Sequence, residues 1–344
     1  MQRQFYILST ALLLLFACSR EEGAEPGQSG ETAVRFTAMA DVQTTKATTT
    51  SLLSNNAKVT VYAWMKSDLS TSAPTPPAHS NNYTVSNKDG KGSLAPVGSA
   101  MKVQTGVVYF FYALSTNSDK EAVPALNGDY TTESLVNGVD YLMAVAKNSN
   151  NGYTFQTTNN SDVPLTFSHL ATRVVLTVQP ADPDGYTSAD ALSVGIASID
   201  GAGSYIDLSA SAIHWVASDA GPVTGGIPLD RLEGGQRDDA QKESGQQKFT
   251  VSFILLPVSS PAQGIPVQLD FTGLKFEDAA TGAAKSYTAQ LKGSGGNSLV
   301  LEGGKTYNFD VRISRYSASF SAPEVISWEE VETDVDNMQE EATP

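Results

Sequence analysis

Short runs in which apolar and polar residues alternate recur along most of the chain. In Lys58–Trp64 the apolar side chains of Val59 and Val61 are separated by a polar one, and Thr172–Val178 repeats this spacing. A period of two places one face of a strand on a core and the other in water. Since no long stretch shows the 3.6-residue period of an amphipathic helix, the pattern predicts an all-β protein of antiparallel strands.

The predicted strands are short, rich in β-branched or aromatic residues, and separated by turn residues. They include Val34–Ala38, Lys58–Trp64, Val107–Tyr112, Tyr141–Val145, Thr172–Val178, Phe249–Leu255, Val267–Phe271, Tyr287–Leu291 and Tyr307–Ile313. About half of them lie on each side of Leu170. We therefore predict two β-sandwich domains, residues 33–170 and residues 171–344.

The N-terminal residues have the build of an export signal. Residues 1–17 combine a positive start at Arg3 with the apolar run Ile7–Phe16, which is too short for a permanent membrane-spanning helix. Cys18 is the only cysteine, and its position after Ala17 resembles a bacterial lipobox. We predict that Cys18 carries a lipid anchor to the membrane. The alternative is an ordinary signal peptide followed by an incidental cysteine.

Composition narrows the partners of the mature chain. With 22 Lys and Arg against 37 Asp and Glu, the net charge of −15 argues against binding to nucleic acid. Residues 18–32 are polar and rich in Gly, Glu and Ser, which indicates a flexible tether. The pair Glu21–Glu22 resembles the surface-export signal of Bacteroidetes-type lipoproteins, although a merely solvated linker explains it equally well.

The sequence offers no pattern of catalytic or cofactor-binding residues. The three histidines are far apart, and His169 is predicted to be a structural hydrogen-bonding residue at the domain junction. Asp182–Gly185 resembles the start of a calcium loop, but Ser193 replaces the twelfth-position Glu, so a tight turn is predicted. We therefore predict a protein that is not an enzyme and has no metal or cofactor.

Several separate stretches together resemble the fimbrillin family, the pilus subunits of Bacteroidetes-type bacteria. They are Phe36–Ala38, Thr44–Thr48, Val59–Ala63, Val163–Arg173, Phe253–Pro257, Gly304–Phe309 and Ile326–Trp328. Their order covers most of the mature chain. The resemblance implies two transthyretin-like antiparallel β-sandwich domains and a lipoprotein precursor. It also implies a surface-exposed location at the cell outer membrane and assembly into a fimbrium.

The family's assembly chemistry implies a processing site near the first strand. In that chemistry an outer-membrane protease cuts after a basic residue and removes the strand, which leaves an empty groove. Val34–Ala40 is the matching strand, and the bond between Lys46 and Ala47 is the matching site, in a Thr-rich stretch. The family site usually carries Arg. The alternative is that Lys46 is a plain loop lysine and the strand stays in place.

The resemblance also implies a donor strand near the C-terminus that fills the groove of another subunit. Val325, Ile326 and Trp328 are the candidates, and the spacing of Ile326 and Trp328 places them on one face of a strand. The alternative is that this segment is simply the last strand of the second domain.

The partners implied are other copies of the chain or related fimbrial subunits, the processing protease and a surface receptor. Whether the subunit builds the shaft, caps the tip or anchors the base is open. A second reading is a surface lipoprotein that binds glycans or peptides, with Trp64, Trp215 and Trp328 as candidate stacking platforms. Trp64 and Trp328 lie in strand patterns, which favours core positions.

Overall fold

The computed structural model describes residues 30–43, 48–70, 76–90, 92–127, 130–157, 162–197, 204–208, 212–214, 235–262, 264–293 and 299–328. In these residues the regular structure is β-strand, apart from two 3₁₀ turns at Asp68–Ser70 and Lys88–Gly90. The all-β prediction is therefore confirmed. Cys18, Lys46 and Ala47 lie outside the described residues. A search of the described residues finds no helix of the length and apolarity needed to cross a membrane.

The strands before residue 170 are numbered in chain order. They are β1 (Glu31–Ala33), β2 (Phe36–Gln43), β3 (Thr48–Ser51), β4 (Lys58–Met65), β5 (His79–Ser86), β6 (Ser93–Pro96), β7 (Lys102–Gln104), β8 (Val108–Ser115), β9 (Leu142–Ala146), β10 (Tyr153–Thr154) and β11 (Val163–His169).

The strands after residue 170 continue the numbering. They are β12 (Thr172–Pro180), β13 (Ala191–Ile196), β14 (Tyr205–Asp207), β15 (Ala212–His214), β16 (Gln236–Asp239), β17 (Gln241–Lys242), β18 (Phe249–Leu255), β19 (Val258–Ala262), β20 (Ile265–Leu274), β21 (Ala283–Leu291), β22 (Leu299–Leu301), β23 (Lys305–Ile313), β24 (Ala318–Phe320) and β25 (Glu324–Ser327).

The main sheet of the N-terminal half closes on itself. Its strands pair in the order β8, β4, β5, β6, β2, β11 and β9, and β9 pairs back to β8. Alternate side chains point into this ring, as the pattern of β11 shows, where Val163, Leu165 and Phe167 are buried and the residues between them are exposed. The result is a core of aromatic and aliphatic side chains inside a ring of strands, an arrangement that the sequence pattern did not predict.

The C-terminal half contains two larger sheets around a second core. One sheet has the order β17, β18, β12 and β23, with both β24 and β25 on the outer side of β23. The other has the order β16, β13, β20 and β21. Val174, Phe249, Phe271 and Phe309 belong to the shared core. Most pairings are antiparallel, but β2 with β11 and β12 with β23 are parallel, because the chain crosses over between those strands.

A third core joins the two halves. Trp64 is fully buried there and packs edge-on against Tyr112, with ring centroids 5.2 Å apart. Ile206 of β14 is buried in the same cluster, and its backbone oxygen accepts a hydrogen bond from Thr132 N at 3.0 Å. Residues from both sides of position 170 therefore share this core.

Candidate functional site

β2 is one of the strands that form the wall of the N-terminal ring, whereas β1 pairs with β7 in a separate two-stranded sheet. β2 lies between β6 and β11, with a parallel register that pairs Phe36 with Val163 and Ala40 with Phe167. Its pairing with β6 is much shorter and joins Thr37 to Ser93. β2 is thus the strand that closes the ring, and without it β6 and β11 would present unpaired backbone groups to each other.

One face of this N-terminal segment is fully inserted into the ring core. Val34, Phe36, Ala38 and Ala40 are each at most 3% exposed. The ring of Phe36 packs edge-on against the rings of Tyr83 and Phe111, at centroid distances of 5.5 and 5.3 Å. The four buried side chains are every second residue of the segment. This matches the alternation seen in the sequence, because every second side chain of a strand points the same way. The segment therefore fills a groove in the core with the side chains of Val34, Phe36, Ala38 and Ala40.

A glycine allows the neighbouring chain to approach β2 closely. The oxygen of Gly92 accepts a hydrogen bond from Ala38 N at 3.2 Å. A Cβ at Gly92 would lie 1.9 Å from the backbone oxygen of Ala38, so any other residue would push β6 away from β2. The groove is therefore shaped by backbone contacts as well as by its aromatic walls.

The predicted processing site follows this buried strand. Residues 44–47, which include Lys46 and Ala47, lie outside the described residues, and they connect Gln43 of β2 to Thr48 of β3. Arg35 is the other basic residue nearby, and its Nε lies 2.7 Å from an Asp162 carboxylate oxygen, with both side chains largely exposed. Arg35 precedes β2, whereas Lys46 follows it, so only a cut at Lys46 would separate β2 from the rest of the chain.

The predicted donor segment lies at a sheet edge, in contrast to β2, which is paired on both sides. β25 lies on the outer edge of β23, with Val325 opposite Tyr307 and Ile326 opposite Thr306. Val325 is 48% exposed and Ile326 is 42% exposed, so neither side chain is held in a core. The segment is therefore the last strand of its sheet in this state, held mainly by backbone pairing over four residues.

Trp328 anchors the end of this strand. It directly follows β25, is 6% exposed, and stacks on the ring of His169 with centroids 4.4 Å apart and planes 7° apart. His169 Nδ1 lies 2.8 Å from a carboxylate oxygen of Asp140, and its Nε2 is buried with no hydrogen-bond partner among the described residues. His169 is a hydrogen-bonding residue between the two halves, as its sequence position indicated.

β2 is thus paired on both sides and buries its apolar face, whereas β25 is paired with β23 and leaves two apolar side chains exposed. The sequence identified β2 and the segment from Val325 to Trp328, because both show alternating apolar residues. It did not reveal that β2 closes a ring or that Trp328 stacks on His169, since both depend on pairings between residues far apart in the chain. Trp64 and Trp328 are buried, so neither is a surface stacking platform, and Trp215 lies outside the described residues.

Comparison with protein families gives a match over most of the chain. A family model described as fimbrillin-like matches residues 45–328. The match begins next to the Lys46–Ala47 bond and ends at Trp328, which leaves β1 and β2 outside it. Comparison with curated proteins gives no match.

Solved structures give matches along nearly their full length. A candidate cell adhesion protein from Bacteroides ovatus has a TM-score of 0.54 at 13% identity, with 87% of this chain and 99% of that chain covered. A candidate cell adhesion protein from Bacteroides fragilis has a TM-score of 0.49 at 17% identity, with coverages of 87% and 99%. The tip fimbrial protein Mfa3 from Porphyromonas gingivalis has a TM-score of 0.41 at 6% identity, with coverages of 86% and 100%.

Proposed function

Because this chain belongs to the fimbrillin-like family, we propose that it is a structural and adhesive subunit of a cell-surface fimbria. The observation that carries the proposal is the contrast between its two ends. The N-terminal strand fills a groove in a closed ring, and the C-terminal strand lies at a sheet edge with its apolar side chains exposed. These are the two parts that assembly by strand exchange requires.

We propose that a protease cuts between Lys46 and Ala47, that β2 then leaves the ring, and that β1 leaves its pairing with β7. Their loss would empty the pockets of Val34, Phe36, Ala38 and Ala40 and unpair the facing edges of β6 and β11. Buried backbone groups without partners are costly, so the opened ring favours any extended segment that restores the pairing.

The proposed donor is the segment around β25 of a neighbouring subunit, with Val325, Ile326 and Trp328 as its apolar residues. Leaving the edge of β23 costs this segment little apolar burial at Val325 and Ile326, since both are about half exposed. The main cost is the stacking of Trp328 on His169. Main-chain hydrogen bonds and alternate side chains would repay that cost inside the groove.

The test compares two purified chains after limited digestion at Lys46. The first is the full chain, and the second ends at Ala322, which removes β25 but keeps Ala318 and Phe320, both packed on the C-terminal core. Mass spectrometry identifies the new N-terminus, and light scattering gives the mass of the assemblies. We expect the full chain to form multimers and the shortened chain to remain monomeric.

Two controls keep this result interpretable. A Lys46→Gln chain should remain uncut at this bond and monomeric under the same digestion. A new N-terminus at Phe36 would mean cutting at Arg35, which leaves β2 in place. Multimers of the shortened chain would show that the donor lies elsewhere. Cutting at Lys46 without assembly of the full chain would favour a non-polymerising anchor or accessory role.

We further propose that the chain is exported as a lipoprotein and held at the outer membrane through Cys18. The whole chain carries a net charge of −15, which opposes attachment to anionic lipid by charge alone. A Cys18→Ala chain should be lost from the membrane fraction or accumulate as an unprocessed precursor. Normal membrane retention of that variant would contradict the lipid anchor.

We also propose that the two halves are transthyretin-like β-sandwich domains that meet near residue 170. The main ring ends at His169 and the first strand of the C-terminal sheets begins at Thr172, which supports a boundary there. The closed ring is consistent with a flattened sandwich whose edges are joined by β2 and β9.

A further inference from the structure

Three turns meet at the end of the C-terminal sheets that lies far from the junction. β12 starts at Thr172 beside the junction, and the parallel β23 runs the same way, so the turns after these two strands lie at the distal end. Together with the turn between β20 and β21, they line an open surface cavity of about 400 Å³. Asp184 and Gly185, from the tight turn predicted in the sequence, line one side.

The aromatic rings of Phe276 and Tyr316 and the guanidinium of Arg315 belong to the lining of this cavity. Tyr316, at the tip of the turn between β23 and β24, is 88% exposed, more than any other large apolar side chain of the described residues. Lys285 lies beside these residues rather than in the lining, with its Nζ 5.9 Å from the centre of the Tyr316 ring. The guanidinium of Arg315 lies 5.1 Å from the centre of the Phe276 ring.

Carboxylates also line the cavity, and one of them is paired with this guanidinium. Asp184, Glu277 and Asp278 line the cavity, and Asp278 forms an ion pair with Arg315. The hydrogen bond from Arg315 lowers the pKa of Asp278 below its ordinary value, so this carboxylate stays ionised and accepts hydrogen bonds at neutral pH. The Arg315 side chain is itself held in place by this bond, which gives this part of the lining a defined geometry.

We infer that this cavity binds a neutral carbohydrate. A sugar ring has a face of C–H groups that packs on an aromatic ring, and hydroxyl groups that both donate and accept hydrogen bonds. Tyr316 offers the exposed ring, the three carboxylates accept from hydroxyls, and Arg315 donates to them. The volume of the cavity, about 400 Å³, lies within the range of small-molecule sites.

The charges at the cavity argue against other ligands. Three carboxylates and one cation, Arg315, line the cavity, and the whole chain carries a net charge of −15, so phosphorylated, sulfated or sialylated ligands are repelled. These carboxylates do not form a metal-binding group, since no such group of three or more His, Cys, Asp or Glu exists in the part of the chain that the structure describes. The inference does not depend on assembly into a fimbria.

The test measures binding of the purified protein to an immobilised panel of neutral, sialylated and sulfated oligosaccharides, followed by titration calorimetry with the neutral sugars that bind. We expect binding to neutral members only. Tyr316→Ala should weaken that binding about tenfold, through loss of the stacking platform. Arg315→Lys keeps the positive charge but loses the planar guanidinium with its several N–H donors, and it should also weaken binding.

Val97→Ala is the matched control, because Val97 is an exposed apolar residue of the N-terminal half, 61% accessible, and its truncation should leave binding unchanged. Tyr316 is 88% exposed, so its variant should keep the parent's circular dichroism spectrum. Binding confined to sialylated or sulfated sugars, binding unaffected by Tyr316→Ala, or no binding to any member of the panel would each overturn the inference.

Discussion

β2, near the start of the described residues, and β25, near their end, have opposite environments. β2 lies inside a closed ring, with its apolar face at most 3% exposed, whereas β25 lies on a sheet edge with Val325 and Ile326 nearly half exposed. The N-terminal strand is bound through side chains and by backbone pairing on both sides. The C-terminal strand is bound through backbone pairing on one side and through the ring of Trp328.

This difference is the one that the proposed strand exchange requires, a strand that is hard to remove and a strand that leaves easily. A strand at an edge leaves with the loss of few apolar contacts, so a sheet that gives it up keeps its core. A strand inside a ring cannot leave without emptying the core, so its removal needs a break in the chain and creates a strong demand for a replacement. The predictions below test this contrast, beginning with the largest expected effect.

Phe36→Ala should have the largest effect on the free energy of unfolding. Phe36 is fully buried against Tyr83 and Phe111, so its truncation should lower the free energy of unfolding by about 3–5 kcal/mol. Denaturant unfolding measures this. Met39→Ala, on the less buried face of the same strand, is the control and should cost about 1 kcal/mol. Equal losses in the two variants would contradict the groove described for β2.

Trp328→Ala should give a moderate and local effect. The ring of Trp328 covers His169, and its loss should cost about 2–3 kcal/mol, mostly as easier opening of β25. Hydrogen exchange should show faster exchange in β25, with little change in β2. Trp328→Phe keeps a stacking ring and should restore most of the protection. Unchanged exchange in β25 after Trp328→Ala would mean that the stacking does not hold the strand.

Ile326→Ser should have the smallest effect on the isolated subunit. Because Ile326 is 42% exposed, its replacement should change the free energy of unfolding by no more than about 0.5 kcal/mol. The same change should weaken multimers of the chain cut at Lys46, because Ile326 is expected to enter the groove of a neighbour. A large loss of stability in the uncut monomer, or unchanged multimers, would remove the contrast between the two ends.

Local patterns predicted the strands well, because their alternation is a property of neighbouring residues. Phe249–Leu255 has the predicted bounds, and Thr172–Val178 is two residues shorter than the observed strand. β5 was not predicted, since His79–Asn82 is a polar run that forms a strand through pairing with β4. The ring closure and the parallel pairs were not predicted either, because they join strands that are distant in sequence.

The candidate site was predicted in its parts and not in its arrangement. The sequence indicated the buried face of Val34–Ala40 and the apolar residues of the last strand. It placed Ile326 and Trp328 on one face, but their environments differ, because β25 ends at Ser327 and Trp328 packs on His169. Asp182–Gly185 was predicted as a tight turn, and only the fold places that turn beside Phe276 and Tyr316.

The most direct test of strand exchange fixes β25 to its own sheet. Asn308 and Glu324 are opposite each other in the antiparallel pair of β23 and β25. Opposite residues in such a pair have Cα atoms about 4.5–5.5 Å apart, which suits a disulfide. A chain with Asn308→Cys and Glu324→Cys, and with Cys18→Ser so that no other thiol remains, can be locked by oxidation and released by reduction.

The measurement is the mass in solution of this chain after digestion at Lys46. The account predicts monomers while the disulfide is formed and multimers once it is reduced, with the Cys18→Ser parent forming multimers in both conditions. If the oxidised chain forms multimers of the same size and as fast as the reduced chain, this would contradict the claim that the strand around β25 leaves its own sheet to enter the groove of a neighbour.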